Sequence, residues 1–173
     1  MARSIRFCPD CGNDSFRPES QRSWRCSSCD FLLYQNTAAA VAAIIVHAGE
    51  VLFAVRAGAP GAGKLDLPGG FVDSDESAEH ALARELGEEL GLKDFEARYM
   101  ASFPNTYPYR GIDYKTVDFI YVVELDARPA LQAADDVSGI RWLPLGAIPM
   151  DEVAFTSIRS ALRHFRASAG IEL

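Results

Sequence analysis

Residues 37–47 form a β-branched, alanine-rich apolar run, and residues 51–56 (Val-Leu-Phe-Ala-Val-Arg) form a second. Ala48-Gly49-Glu50 between them is a turn, so the pair predicts a β-hairpin. Strand-like runs follow at 95–103 and 116–125, with a short one at 140–143. Helical periodicity is strongest over 77–90, where Leu82, Leu86 and Leu90 make one stripe. Asp73, Ser74 and Asp75 are N-cap candidates ahead of it, and Gly91 stands at the C′ stop. Val153, Ile158, Leu162 and Phe165 predict a last helix over 153–167. Strands outnumber helices and mostly connect as hairpins. The pattern predicts an α+β or mixed-sheet α/β domain.

Length and composition narrow this further. The 173 residues suffice for one domain plus a small appendage, and 49% hydrophobic with 24% charged residues excludes a disordered or fibrous chain. The longest apolar run, 38–46, is too short to span a bilayer, so no membrane partner is expected. The first eight residues contain no apolar stretch of secretory-signal length, and the expected location is the cytoplasm. Net charge is −7, unevenly spread: residues 1–34 carry +1 through five arginines, and the remainder carries −8. An acidic body argues against broad nucleic-acid binding. It tolerates a phosphate-bearing substrate only with cations in between.

All four cysteines fall in one segment, as Cys8-Pro9-Asp10-Cys11 and Cys26-Ser27-Ser28-Cys29. Two CxxC turns at this separation can close a tetrahedral four-cysteine shell around Zn²⁺. Disulfides would need an oxidising compartment, and a redox CxxC usually comes singly in a βαβ context. A closed shell has no open coordination position, so this zinc is expected to be structural. The division is a ribbon over residues 1–36 and a second domain over 37–173. Phe7, Phe16, Trp24, Phe31 and Tyr34 either cover the ribbon or stack bases.

Gly58 to Lys64 spell the GxxxxGK part of a phosphate-binding loop, but Leu65 replaces the required Ser or Thr. The segment runs on into an extended stretch ending at Pro68 instead of a helix. The carboxylates carry more. With Glu85 as origin, Glu88 projects at about −60° and Glu89 at about +40°, so all three share a helix face. The leucine stripe adjoins that face, and the small Ala78 and Ala81 lie above the glutamates, leaving room for a ligand. Like charges on adjacent turns repel, and hard divalent cations such as Mg²⁺ or Mn²⁺ remove that penalty.

The full spacing resembles the Nudix box, GX5EX7REUXEEXGU with U aliphatic. It runs through Gly70, Glu76, Arg84, Glu85, Leu86, Glu88, Glu89, Gly91 and Leu92 without departure. Seven fixed identities have a chance-match frequency of about one in 10⁸ per window. The ribbon ahead of the box is similar to that of Nudix NADH pyrophosphatases. Their Ser-Gln-Pro-Trp-type dinucleotide motif is replaced here by Phe103-Pro104-Asn105-Thr106-Tyr107-Pro108-Tyr109-Arg110-Gly111.

The resemblance implies an α/β/α sandwich with a mixed sheet, and Mg²⁺- or Mn²⁺-dependent hydrolysis of a nucleoside diphosphate linked to another moiety. An ADP-ribose-like substrate is favoured because the dinucleotide motif is missing. It implies Glu85 and Glu89 as principal metal ligands, with Glu88 and the Gly69 carbonyl contributing. Arg84 would fix a carboxylate rotamer, and Gly70, Glu76 and Gly91 would be structural. The general base is either Glu85 or a later carboxylate, with Asp136 in the position of an NADH-pyrophosphatase glutamate. Arg56 and Arg110 are candidates for phosphate contact. Phe103, Tyr107 and Tyr109 either stack a base or pack in the core or a homodimer interface. The alternatives are a nucleotide-sensing or RNA-binding module using the ribbon as contact surface, and a pyrophosphatase of NADH or NAD-capped RNA.

Overall fold

The computed structural model describes residues 5–168 and 170, so Arg3 and the extreme ends of both expected domains lie outside the described residues. Strands β1 (Phe16–Pro18), β2 (Ser23–Cys26) and β3 (Leu32–Tyr34) form a small antiparallel sheet in that order. Its core is minimal: Cys8, Phe16 and Cys26 are buried, with Ile5, Trp24, Phe31 and Leu33 packed against them. Of the five ribbon aromatics, Phe7 and Tyr34 stay exposed.

A six-stranded mixed sheet contains β4 (Ala38–His47), β5 (Glu50–Arg56), β6 (Leu65–Asp66), β7 (Ala97–Tyr109), β8 (Ile112–Glu124) and β9 (Val137–Pro144). The order is β6-β5-β4-β8-β7, with β9 also pairing β5. The predicted hairpin exists, turning through Ala48 and Gly49 at φ 47° and 79°. Positive φ at both central positions is the type I′ requirement, which matches strand twist. Yet β4 and β5 share only the pairs Val46↔Val51 and His47↔Glu50. Beyond these, β4 runs parallel to β8 from Ala38↔Thr116 to Val46↔Glu124, while β5 turns to β9. Where the two strands part, residues 68–72 take over as β4's neighbour, through Val41 N–H to Gly70 O (2.8 Å) and Ala43 N–H to Pro68 O (2.9 Å).

Alternation sorts the core into two layers. Val41, Ala43, Ile45, Leu52, Tyr121 and Val123 meet Leu82, Leu86 and Leu90 of α1 (Ala78–Leu90). Ala42, Ile44, Val51, Phe53, Ile120 and Val122 meet Ile158 and Leu162 of α2 (Thr156–Ser168). The result is the expected α/β/α sandwich. No described helix is long and apolar enough to cross a membrane.

Several boundaries differ from expectation, each for a physical reason. The N-cap is Ser77, whose hydroxyl accepts the His80 N–H; Asp75 instead takes a left-handed turn at φ 66°. Gly91 does end α1, at φ 70°, with its N–H on Gly87 O and the Leu92 N–H on Leu86 O. The first of these is the 5→1 bond of the αL C-cap motif. Helix α2 starts at Thr156 because Val153, fully buried, forms a parallel bridge with Leu65. Strands β7 and β8 run on to a turn at Arg110-Gly111, so the stretch 103–109 is strand. Ala81 is fully buried in the core layer, so it seats the helix and opens no space for a ligand.

Candidate active site and metal centre

In the small sheet the four cysteine Sγ atoms all lie within 4.8 Å of one another. Cys8–Cys29 and Cys11–Cys26 are each 3.7 Å apart, and all four thiols are free. That separation excludes a disulfide, whose S–S bond is about 2.05 Å. It matches the edge of a tetrahedron with Zn–S bonds of about 2.3 Å, which is about 3.8 Å. The Ser15 hydroxyl, 3.2 Å away, lowers the Cys26 thiol to about 6. Cys29, although a Phe31 backbone contact pulls it down, is pushed up to about 12 by burial and the neighbouring thiols. Four such thiols cannot all ionise without a cation among them, and soft sulfur donors fit zinc.

The second centre is built where residues 68–72 pass α1. A Cβ on Gly70 would stand 2.4 Å from Glu85 Oε1, and one on Gly69 would stand 2.2 Å from Val41 O. Gly69 must therefore lack a side chain for this segment to lie against β4, and a side chain at Gly70 would displace the Glu85 carboxylate. Arg84 organises the exposed side. Its Nε and Nη2 donate to the two Glu76 oxygens at 3.1 and 3.0 Å, and its Nη1 donates to Glu85 at 2.8 Å and to Glu88 at 3.1 Å. Nη2 also holds the Phe71 carbonyl at 3.0 Å. The Arg84 guanidinium consequently draws the Glu76 carboxyl below its ordinary pKa.

Glu89 faces inward. It is 5% exposed and accepts the Gly69 N–H at 2.9 Å. Burial, with Asp136 and Glu85 adding negative charge against the helping Gly69 amide, pushes its carboxyl up to about 9. Burial also raises Glu85, against the pull of Arg84. The three glutamates are thus held by Arg84 on one side and the Gly69 amide on the other. Among the described residues, they do not converge within a common 4.8 Å as the cysteines do. Buried carboxyls crowded together are groups whose charged form a cation favours, and oxygen donors suit Mg²⁺ or Mn²⁺.

Glu89 and Asp136 line a small cleft that also touches Arg56, Asp66, Leu67 and Gly69. Those last four residues also line a larger neighbouring cavity, so the two share a wall. Phe71, Tyr107 and Phe155 supply aromatic wall to the larger one, and Asn105, Thr116 and Asp118 its polar side. Arg56 is bound to Asp66 at 2.8 Å and to the Pro60 carbonyl at 2.7 Å, with its guanidinium 5.0 Å from the Phe155 ring centre. Burial raises the Asp66 carboxyl to about 6 although Arg56 opposes it.

The other predicted contacts separate. Tyr107 lines the cavity, its ring edge-on to Phe71 at 5.4 Å. Phe103 packs toward α2 against His164. Tyr109 and Arg110 pair with each other at the β7–β8 turn, outside the cavity wall. Sequence reasoning passed over Asp66, Phe71, Asn105, Thr116, Asp118 and Phe155. Thr116 and Asp118 had a signal: two polar residues at i and i+2 put one face of an otherwise apolar strand out of pattern.

The NUDIX domain family matches residues 36–165. Among curated relatives, the NAD-capped RNA hydrolase NudC of Vibrio parahaemolyticus is 24% identical over 149 residues, which are 86% of this chain and 55% of that protein. The chain thus spans about half the length of the curated relatives it matches. Among solved structures, a NUDIX hydrolase from Nitrosomonas europaea superposes with a TM-score of 0.67 at 25% identity, covering 96% of this chain and 94% of that one. The NUDIX domain of Shewanella oneidensis NrtR, solved with ADP ribose, superposes with a TM-score of 0.65 at 24% identity, covering 79% and 90%. With the box complete and the fold shared, the chain belongs to the Nudix family.

Proposed function

We propose that the protein hydrolyses a nucleoside diphosphate linked to another moiety, with an ADP-ribose-like molecule as the favoured substrate class. The observation that supports this is adjacency: Glu89 of the box lines a small cleft whose wall residues Arg56, Asp66, Leu67 and Gly69 also line the neighbouring cavity. Glu85 and Glu89 are the assigned principal metal ligands, with Glu88 and the Gly69 carbonyl contributing. Bound Mg²⁺ or Mn²⁺ would neutralise the diphosphate and lower the pKa of water. Water adds to one phosphorus, the bridging phosphorus–oxygen bond breaks, and the released proton passes to a carboxylate, Glu85 or Asp136. Arg84 acts as a positioning residue, since its contacts are to Glu76, Glu85 and Glu88. Residues 1–36 form a separate structural zinc ribbon, and the free thiols fit the cytoplasm.

A second reading, turnover of a capped RNA end, draws support from the NudC relatives and from Phe7 and Tyr34, which the ribbon leaves exposed. A pure sensor is less favoured because every box carboxylate is present. Incubation with Mg²⁺ and a panel of ADP-ribose, NADH, nucleotide sugars and NAD-capped RNA tests the reading. Release of a mononucleotide from ADP-ribose supports it, and preference for the capped RNA moves the assignment to the second. No turnover of any member contradicts both.

A further inference from the structure

Asp118 has no part in the hydrolysis just described, yet it is 6% exposed and lines the larger cavity. Its Oδ1 accepts the Thr116 hydroxyl at 2.6 Å and its Oδ2 accepts the Ser157 hydroxyl at 2.5 Å. Both hydroxyls spend their only proton on it, so this carboxylate is fixed as an acceptor on both oxygens, each with a further lone pair. Arg56, the one cationic side chain among the residues lining that cavity, is taken by Asp66 and the Pro60 carbonyl. Across the strand pair, Asn105 stands opposite Thr116 on the same face. Phe71, 40% exposed, lines the same cavity, its ring edge-to-face with Tyr107. An aromatic platform and a buried acceptor in one cavity are the combination that holds a planar, amine-bearing heterocycle.

We infer that Asp118 selects the nucleobase: the cavity takes a base presenting an exocyclic amine, which donates to Asp118 while the ring lies on Phe71. This rests on the nucleotide reading above and deepens it to the base. A buried acceptor left without a donor is costly, so a base lacking the amine is rejected more strongly than an apolar pocket could manage. Asn105, whose Oδ1 is engaged by the Thr156 hydroxyl, has its amide N–H groups left for a ring nitrogen.

The test needs no turnover and no metal. Binding of AMP is compared with that of purine riboside 5′-monophosphate, and GMP with IMP, each pair differing by one amine. Roughly 10- to 100-fold weaker binding of the amine-free member in at least one pair is expected. Asp118→Asn should shrink that ratio to within about threefold, while Ser157→Ala, which cuts the Asp118 link to α2 but spares the carboxylate, should keep most of it. Equal binding within both pairs by the unmodified protein would overturn the inference, leaving Asp118 as a staple between β8 and α2. That failure is separable from failure of the hydrolase reading, which is decided by the turnover panel.

Discussion

The ribbon and the box helix each gather metal-type side chains, and they do it in opposite ways. In the ribbon, the fold has almost nothing else: three buried residues form its core, and two of them are cysteines. Their thiols stand at tetrahedral spacing. In the larger domain two full core layers clamp the sheet between helices. The glutamates there are tethered by Arg84 and the Gly69 amide. In one, the metal-type side chains are most of the core; in the other, they are held in place by a core built without them.

The comparison can be broken most forcefully at the ribbon. Apparent zinc-binding energies of about 10–16 kcal/mol in small domains are folding energies. Cys26→Ser should therefore lower zinc from about one per chain to none and open residues 5–36 to limited proteolysis. The melting of the larger domain should stay within a few degrees, as followed by calorimetry. Coincident loss of both parts in the same transition would contradict the separation.

At the box the expected loss is in rate with the fold retained. Glu89→Gln should lower kcat by about 100-fold or more without lowering Tm, because the amide keeps the shape and removes a buried, crowded acid. Undiminished kcat would remove the ligand assignment. Arg84→Lys is milder. Lysine cannot span both Glu76 oxygens and still reach Glu85 and Glu88. A fall of about 10-fold in kcat, with metal affinity weakened in a titration, is expected.

The smallest effect sharpens the electrostatics. Asp66 rises from about 3.9 in the unfolded chain to about 6 when folded. The folded state then binds more protons between those values, so stability falls as pH rises from about 4 to about 6. Below that window Asp66 is protonated in both states and the contribution is fully present. Denaturant melts of Asp66→Asn should show a slope across the window flatter by about 1–3 kcal/mol in total. An unchanged slope would mean Arg56 balances burial, and a slope change of opposite sign that Arg56 outweighs it.

What was legible in the sequence follows the same divide. Motif-spaced residues were readable because their spacing is their geometry: a CxxC turn and an i, i+3, i+4 helix face need no tertiary information. Residues 103–111 were not, since whether Phe103 and Tyr107 reach the cavity depends on a 13-residue hairpin strand and its register. Asp118 escaped notice because its meaning comes from Ser157, thirty-nine residues away on α2. Ala81 misled, because helix-wheel angles place a residue beside the glutamates without saying where the sheet begins.

The most direct test of two metals with two roles is a graded chelation with turnover and zinc content measured on the same samples. Mild EDTA should abolish hydrolysis while about one zinc per chain remains, and Mg²⁺ alone should restore the rate. Ribbon zinc should leave only under harsher chelation, together with proteolytic sensitivity of residues 5–36. Activity that survives mild EDTA, or that returns only when zinc is added, would contradict the account.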